Sequence, residues 1–367
     1  MSYFEALTGP NVSPSFPPEE PAMSQDSMNT PTKQIEDDRP LWDIVLGVYG
    51  YPALLLAHKL KIFPLLADGP LSLTEICDKL NIKARPAEAV LTTATAAGFL
   101  SFQDGYYSLT PIAEHYLLET SPSYFGYFWD LMIDDDQVHS FASLKKAILS
   151  DSPQVYGGSG IYHQSPEEQA EQVRRFTRGM YSFSITSALY WPGILDLSSY
   201  RTMLDIGGSS GAHSIGAVSK WPQLQAIVFD FPLVCEIAQE FIARQGLQDR
   251  IRTQEGNMWS DTLPAADLHF YSTVYNDWPP EKCNFLTAKS FNSLPSGGRI
   301  IIHGMLYNDE KTGPFAAAAF SMLMMGWTEG RSYSGRELST MLTEAGFQDI
   351  EVRPAFGYYN LVTGVKP

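Results

Sequence analysis

The chain has 367 residues, with 25 Lys+Arg against 41 Asp+Glu and a formal net charge of −16. That length calls for about two domains and can bury a large core, while the acidic balance excludes a general electrostatic grip on nucleic acid. The hydrophobic share of 44% is that of a globular protein, and the 13% of aromatic residues supplies rings for a core or an apolar pocket.

Residues 1–39 read as a disordered tail. Pro14–Pro21 is proline-rich and Met23–Arg39 has few large apolar groups, too few to offset the entropy of ordering. Residues 40–120 follow a helical pattern. Trp42, Val45, Leu46, Tyr49 and Leu54–Ala57 mark an apolar-faced helix pair. Ser72 stands three residues before Glu75, the spacing of a capping box that starts a helix. A second helix runs through Pro86 to Gly98. Phe99–Phe102 and Tyr106–Leu109 then flank an Asp104-Gly105 turn as a hairpin. Helix, helix, hairpin is a winged-helix outline. Its second helix carries few basic residues, so dimerisation is expected rather than DNA binding.

Residues 121–199 read as a helical linker and cleft wall. Trp129, Met132, His139, Phe176 and Met180 are candidate walls of a substrate pocket, joined later in the chain by His303 and Met322. Residues 200–367 alternate short apolar runs with helical stretches. Strands are expected at Met203–Ile206, Ile227–Asp230, Leu268–Tyr271 and Ile300–His303. Helices are expected at Ala212–Lys220, Leu233–Arg244, Pro280–Ser293, Phe315–Met325 and Gly335–Glu344. The alternation is that of an α/β fold with a Rossmann-like, doubly wound sheet. Ile350–Arg353 and Tyr359–Val365 close it as an antiparallel hairpin.

No run approaches the roughly 18 apolar residues of a membrane span, and no secretory leader is evident. Cys77, Cys235 and Cys283 lie far apart, with neither metal-type spacing nor a disulfide framework, which fits a cytoplasmic setting.

The main chemical signal is Leu204-Asp-Ile-Gly-Gly-Ser-Ser-Gly211, a strand, a glycine turn and a helix start. Glycines let a ligand approach the backbone. The register is D-x-G-G-x-x-G, so an acid, Asp205, stands beside the turn. It would repel a pyrophosphate and favour a cationic group. Asp230 follows 25 residues later at the end of the next strand, where a carboxylate can accept both ribose hydroxyls. The pair suits a cationic nucleoside.

From about Leu41 the chain resembles the class I S-adenosylmethionine-dependent O-methyltransferases with a winged-helix dimerisation domain. The matching pieces are Phe176–Met180, Leu204–Gly211, Phe229–Pro232, Gly256–Trp259, Asn276–Trp278 and Gly297–Ile300. The resemblance implies a homodimer with swapped N-terminal helices, a small-molecule substrate held between two domains, and S-adenosylmethionine or S-adenosylhomocysteine as cofactor. It implies that Gly207, Gly208 and Gly211 cradle the methionine part and that Asp230 holds the ribose. Met258 would lie on the adenine, with Asn257 where the family has an Asp for the adenine amino group. Asp205, Phe231 and Ser272 complete the expected cofactor surroundings.

The chain departs from the family at the catalytic motif. His-Asp-Trp is replaced by Asn276-Asp277-Trp278, and an amide cannot serve as a general base. Gly304 and Ser332 stand where the family's two orienting glutamates fall. Asn276, Asp277 and His139 are therefore the candidate catalytic residues, with His163 a further candidate; no metal site is expected. Three functions follow: methyl transfer to an acceptor that needs little deprotonation, a repurposed fold of pericyclase, dehydratase or decarboxylase type, or a non-catalytic partner protein. The first is the primary expectation.

Overall fold

The computed structural model describes residues 37–155 and 166–367. Except for its last three residues, the expected tail lies outside the described residues, as does His163. The described residues up to Tyr49 form one unit and those from Gly50 onward the other.

Helix α1 (Arg39–Lys59) opens the chain. In its first half Leu41, Trp42, Val45 and Tyr49 are exposed, and the Trp42 indole donates to Asp38 at 3.1 Å. With 21 residues and an 18-residue stretch of mean hydropathy 1.4, α1 is long and apolar enough, by length and composition, to cross a membrane. This corrects the expectation that no such run exists. Asp43 is the lone acid or base between Leu41 and Ala57, and scattered Gly, Tyr and Pro residues disguise the run.

There follow α2 (Ile62–Leu65), β1 (Leu71–Ser72), α3 (Leu73–Leu80), α4 (Ala84–Ala96), β2 (Leu100–Gln103), β3 (Tyr106–Leu109) and α5 (Pro111–Tyr116). The Ser72 hydroxyl accepts the Glu75 N–H and the Glu75 carboxylate accepts the Ser72 N–H, so the capping box is complete. Asp104 and Gly105 both take positive φ (52° and 89°), which closes a tight hairpin. The three strands form an antiparallel sheet in the order β1-β3-β2. Its core gathers Ala57, Phe63, Ile76, Leu91 and Leu100.

Next come α6 (Gly126–Asp134), a 3-10 turn (Asp136–His139), α7 (Phe141–Ser150) and α8 (Pro166–Tyr190). Trp129 of α6 is 6% exposed and packs on the rings of His58, Phe63, Phe99 and Phe125. It is core, not a wall of a substrate cleft, because its face of α6 seals the small sheet.

The remaining elements are β4 (Thr202–Ile206), α9 (Ala212–Lys220), β5 (Gln225–Asp230), α10 (Pro232–Arg244), β6 (Ile251–Glu255), β7 (Leu268–Ser272), a 3-10 turn (Val274–Asp277) and α11 (Pro280–Ser293). They continue with β8 (Arg299–Met305), α12 (Phe315–Trp327), α13 (Gly335–Ala345), β9 (Gln348–Pro354) and β10 (Tyr359–Val365). The seven-stranded sheet runs β6-β5-β4-β7-β8-β10-β9. Its first five strands are parallel, and β10 pairs antiparallel with β8 and β9. Alternate residues feed two cores, with Met203, Val228, Phe270 and Ile301 on one face and Leu204, Phe229, Tyr271 and Ile302 on the other. Strand order reverses between β4 and β7, the place where ligands bind in open α/β sheets. Edge strand β6 escapes a sequence reading, because Ile-Arg-Thr-Gln-Glu has a single apolar residue.

Candidate functional site

Beyond β4 the chain turns through Gly207 (φ 67°), Ser209 (φ 49°) and Gly211 (φ 75°) into α9. A Cβ on Gly208 would lie 2.8 Å from the Asp205 carboxyl carbon, so the loop closes directly over Asp205. Asp205 is 1% exposed. It accepts the Ser214 hydroxyl at 2.8 Å, and burial pushes its carboxyl up to about 7. The expected contact between Asp205 and a cationic ligand is therefore corrected: this side chain braces the loop from beneath. Ser214, which the sequence reading missed, is its partner.

Asp230 ends β5 and stands open at the loop. Its carboxylate accepts the Ser209 N–H at 2.9 Å and the Phe231 N–H at 2.8 Å. Burial raises its carboxyl, and these two backbone bonds oppose the rise. Each oxygen keeps a lone pair for a ligand hydroxyl. The Phe231 ring beside it is 55% exposed. Gly256 donates to the Asp230 carbonyl at 2.9 Å, which brings Asn257 and Met258 to the same rim. The Asn257 amide oxygen already accepts the Trp259 N–H at 2.9 Å, and its own N–H donates to Asp261.

The 3-10 turn after β7 meets the loop from the other side. A Cβ on Gly207 would lie 3.0 Å from a Val274 methyl. The turn presents Asn276 and Asp277. Asn276 is 3% exposed, and a Cβ on Gly304 would lie 2.8 Å from its amide oxygen. Its amide nitrogen is buried without a partner. Gly330, in the strap after α12, crosses over this turn: a Cβ there would lie 2.1 Å from the Asn276 carbonyl oxygen. Asp277 is half-buried, and burial alone pushes its carboxyl up to about 7.

Ser272, at the end of β7, bonds His303 Nδ1 at 3.0 Å. His303 is fully buried and stacks on Tyr359 at 4.6 Å. It is not a substrate contact. Strand alternation sends its ring to the face opposite Asn276, into contact with His213 and Phe270. Burial pushes the His303 imidazole down to about 3.

The other wall candidates lie on α6, α8 and α12. Met132 is buried, Met180 half-buried, and Phe176 and Met322 are exposed. His139 stacks on Trp327 at 5.9 Å, and Phe176 lies against the same indole at 6.2 Å. Burial lowers the His139 imidazole, and its Nε2 has no partner. Trp327 had no sequence signal. It stands three residues before Gly330, which places the His139 cluster and the Asn276 turn within about 11 Å along one strap. A groove of about 640 Å³ lined by Leu306, Tyr307, Pro314, Arg336 and Asn360 shares no residue with this site. Among the described residues, no three His, Cys, Asp or Glu side chains converge on a metal position.

A glycine loop, an acid on the next strand and a polar turn on the third converge at the reversal point of a doubly wound sheet. The family described as the O-methyltransferase domain matches residues 141–348, and that of the O-methyltransferase dimerisation domain matches residues 42–119. The chain belongs to the O-methyltransferase family. It is 33% identical to the 3-hydroxy-5-methyl-1-naphthoate 3-O-methyltransferase of Streptomyces sahachiroi, over 89% of this chain and 94% of that protein. It is 32% identical to the L-tyrosine C(3)-methyltransferase of Streptomyces lavendulae, over 83% of this chain and 85% of that protein. The solved structure of human N-acetylserotonin methyltransferase in complex with S-adenosylmethionine shares the fold. Its TM-score is 0.79 at 24% identity, covering 92% of this chain and 99% of that one.

Proposed function

We propose that the chain binds S-adenosylmethionine and methylates an oxygen of a small aromatic or polyketide-like secondary metabolite, acting as a homodimer. The observation that carries this reading is the junction of the Gly207–Gly211 loop, Asp230 and the Asn276–Asp277 turn at one end of the sheet. The residues fit the cofactor: glycines leave the loop's backbone bare, and Asp230 is positioned for a ribose. When bound, the cofactor supplies an electrophilic methyl group on a sulfonium.

The chain's own residues then hold the acceptor. Asn276 cannot take a proton, but its unpartnered amide nitrogen is a donor that an acceptor oxygen would satisfy. Phe176, Met180, Met322 and Trp327 offer an apolar, ring-bearing wall. Relatives named for a naphthoate and for tetracenomycin polyketide synthesis support this substrate class. The exposed apolar side of α1 falls within the matched dimerisation segment, so we read it as covered by a second copy rather than by a membrane. Three free cysteines suit a reducing compartment.

One observation favours a second reading. Asn276, Gly304 and Ser332 together provide neither imidazole nor carboxylate where the family's base and its orienting acids fall, which suits non-methylating chemistry on the same fold. Incubation with methyl-labelled S-adenosylmethionine and a panel of phenolic polyketides separates the two. Label in the product with release of S-adenosylhomocysteine is expected. Product formed without that release would refute methyl transfer.

A further inference from the structure

Resting on the methyl-transfer reading, we propose that Asp277 takes the proton of the acceptor hydroxyl and that the acceptors are acidified phenols or enols. Asp277 closes the 3-10 turn beside Asn276. Among the described residues its carboxylate has no hydrogen bond and no ion pair, and its oxygens, unlike the Asn276 amide nitrogen, are not sealed from solvent. An unpaired carboxylate inside a protein is costly, and functional sites are where such groups persist.

The groups around the turn leave Asp277 alone. On α11, Lys282 pairs with Glu329, and the buried Cys283 thiol donates to the carbonyls of Tyr275 and Trp278. In the strap after α12, Arg331 pairs with Glu337, while α12 itself has no ionisable side chain. On β7, His269 and Tyr271 are both bonded to Ser290. On β8, His303 is bonded to Ser272, and Arg299 to Tyr200 and Thr363. Among the described residues no cation holds Asp277 ionised and no donor occupies its lone pairs, which is the condition a proton acceptor needs.

Burial pushes the carboxyl up to about 7, near the operating range of a general base. In the step, the acceptor O–H bond breaks and its electron pair stays on the acceptor oxygen. The proton forms an O–H bond with the Asp277 carboxylate, which later returns it to solvent. An ordinary phenol titrates at ~10 and would give up its proton to Asp277 about a thousandfold uphill. A phenol or enol acidified by a neighbouring carbonyl removes that gap.

The test compares wild type with Asp277→Asn on phenols of graded acidity, from weakly acidic ones to nitrophenols already ionised in the assay. We expect Asp277→Asn to lower kcat/KM by about 10²–10⁴ on the weakly acidic members and by less than about tenfold on the ionised ones. Equal losses on both would overturn the proposal. A second readout is independent of turnover: infrared titration of the S-adenosylhomocysteine complex. A carboxyl band that vanishes near neutral pH in wild type and is missing from Asp277→Asn supports the proposal, with Asp205 as the internal reference. Identical bands in the two proteins overturn it alone. A wild-type protein that releases no S-adenosylhomocysteine with any phenol overturns the methyl-transfer reading, and the proposal with it, whatever the infrared bands show.

Discussion

Replacing Asp277 by asparagine should stabilise the fold while it impairs the reaction. The Asp277 carboxyl titrates at about 7 in the folded chain against 3.8 as a free group. The unfolded chain releases this proton from about pH 4 upward, and the folded chain holds it until near pH 7. Between those values the unfolded state binds fewer protons, so stability falls as pH rises. At ~1.36 kcal/mol per pKa unit, the loss reaches about 4 kcal/mol at pH 7 and above, and is zero below both pKa values. Asparagine keeps the shape and removes the charge, and Asp277 has no hydrogen bond to lose. Allowing for the unpaired amide that replaces it, a gain of about 1–4 kcal/mol is expected at pH 8, or up to roughly 10 °C in Tm. The difference should shrink to nothing at pH 4. The assay is thermal and urea unfolding of both proteins from pH 4 to pH 8. A variant less stable than wild type at pH 8, or a difference independent of pH, would refute a half-buried, unpaired charge at this position.

The buried histidines give the opposite slope. His213, His269 and His303 are held neutral by burial, the last two pushed down to about 3. Their folded pKa values lie below the unfolded ~6.5, so their contribution is full above pH 6.5 and drains away as pH falls. His303→Leu should therefore flatten the acid limb of a Tm-against-pH curve by about one proton; an unchanged slope would contradict this. Asp230→Ala should weaken binding of S-adenosylhomocysteine by about 10–100-fold in calorimetry, the scale of losing charge-assisted hydrogen bonds, and unchanged affinity would remove Asp230 from the cofactor site. Gly330→Ala puts a Cβ 2.1 Å from the Asn276 carbonyl oxygen and must displace the turn. Methyl transfer should drop about 10²-fold while S-adenosylhomocysteine affinity holds, and equal losses in both would mean a general folding defect. Ser72→Ala, which removes the capping hydroxyl of α3, should cost about 1 kcal/mol in urea unfolding.

Much of the fold was legible because local chemistry announced it. Ser72 with Glu75 marks a helix start that the structure places at those residues. Asp104-Gly105 gives the hairpin, and the apolar runs give every strand of the large sheet except β6. What escaped depends on which face a neighbour covers. Asp205 and His303 lie in strands whose alternation is plain, but only the packed structure shows a loop closed over one and a tyrosine stacked on the other. Trp129 sits on a face that His58 of α1 covers, a contact across some seventy residues of sequence. Asp277 could be named from its motif, but its isolation could not, because a missing partner leaves no pattern in a sequence.

The Gly207–Gly211 loop is fastened by its own helix through Asp205 and Ser214, and by its own neighbouring strand through Asp230 and Ser209. None of these bonds involves α6, α8 or α12. On the proposed function, Phe176, Met180, Met322 and Trp327 can therefore change without removing any of the hydrogen bonds that fasten the loop. A scaffold built this way can be re-aimed at new metabolites by a few wall substitutions.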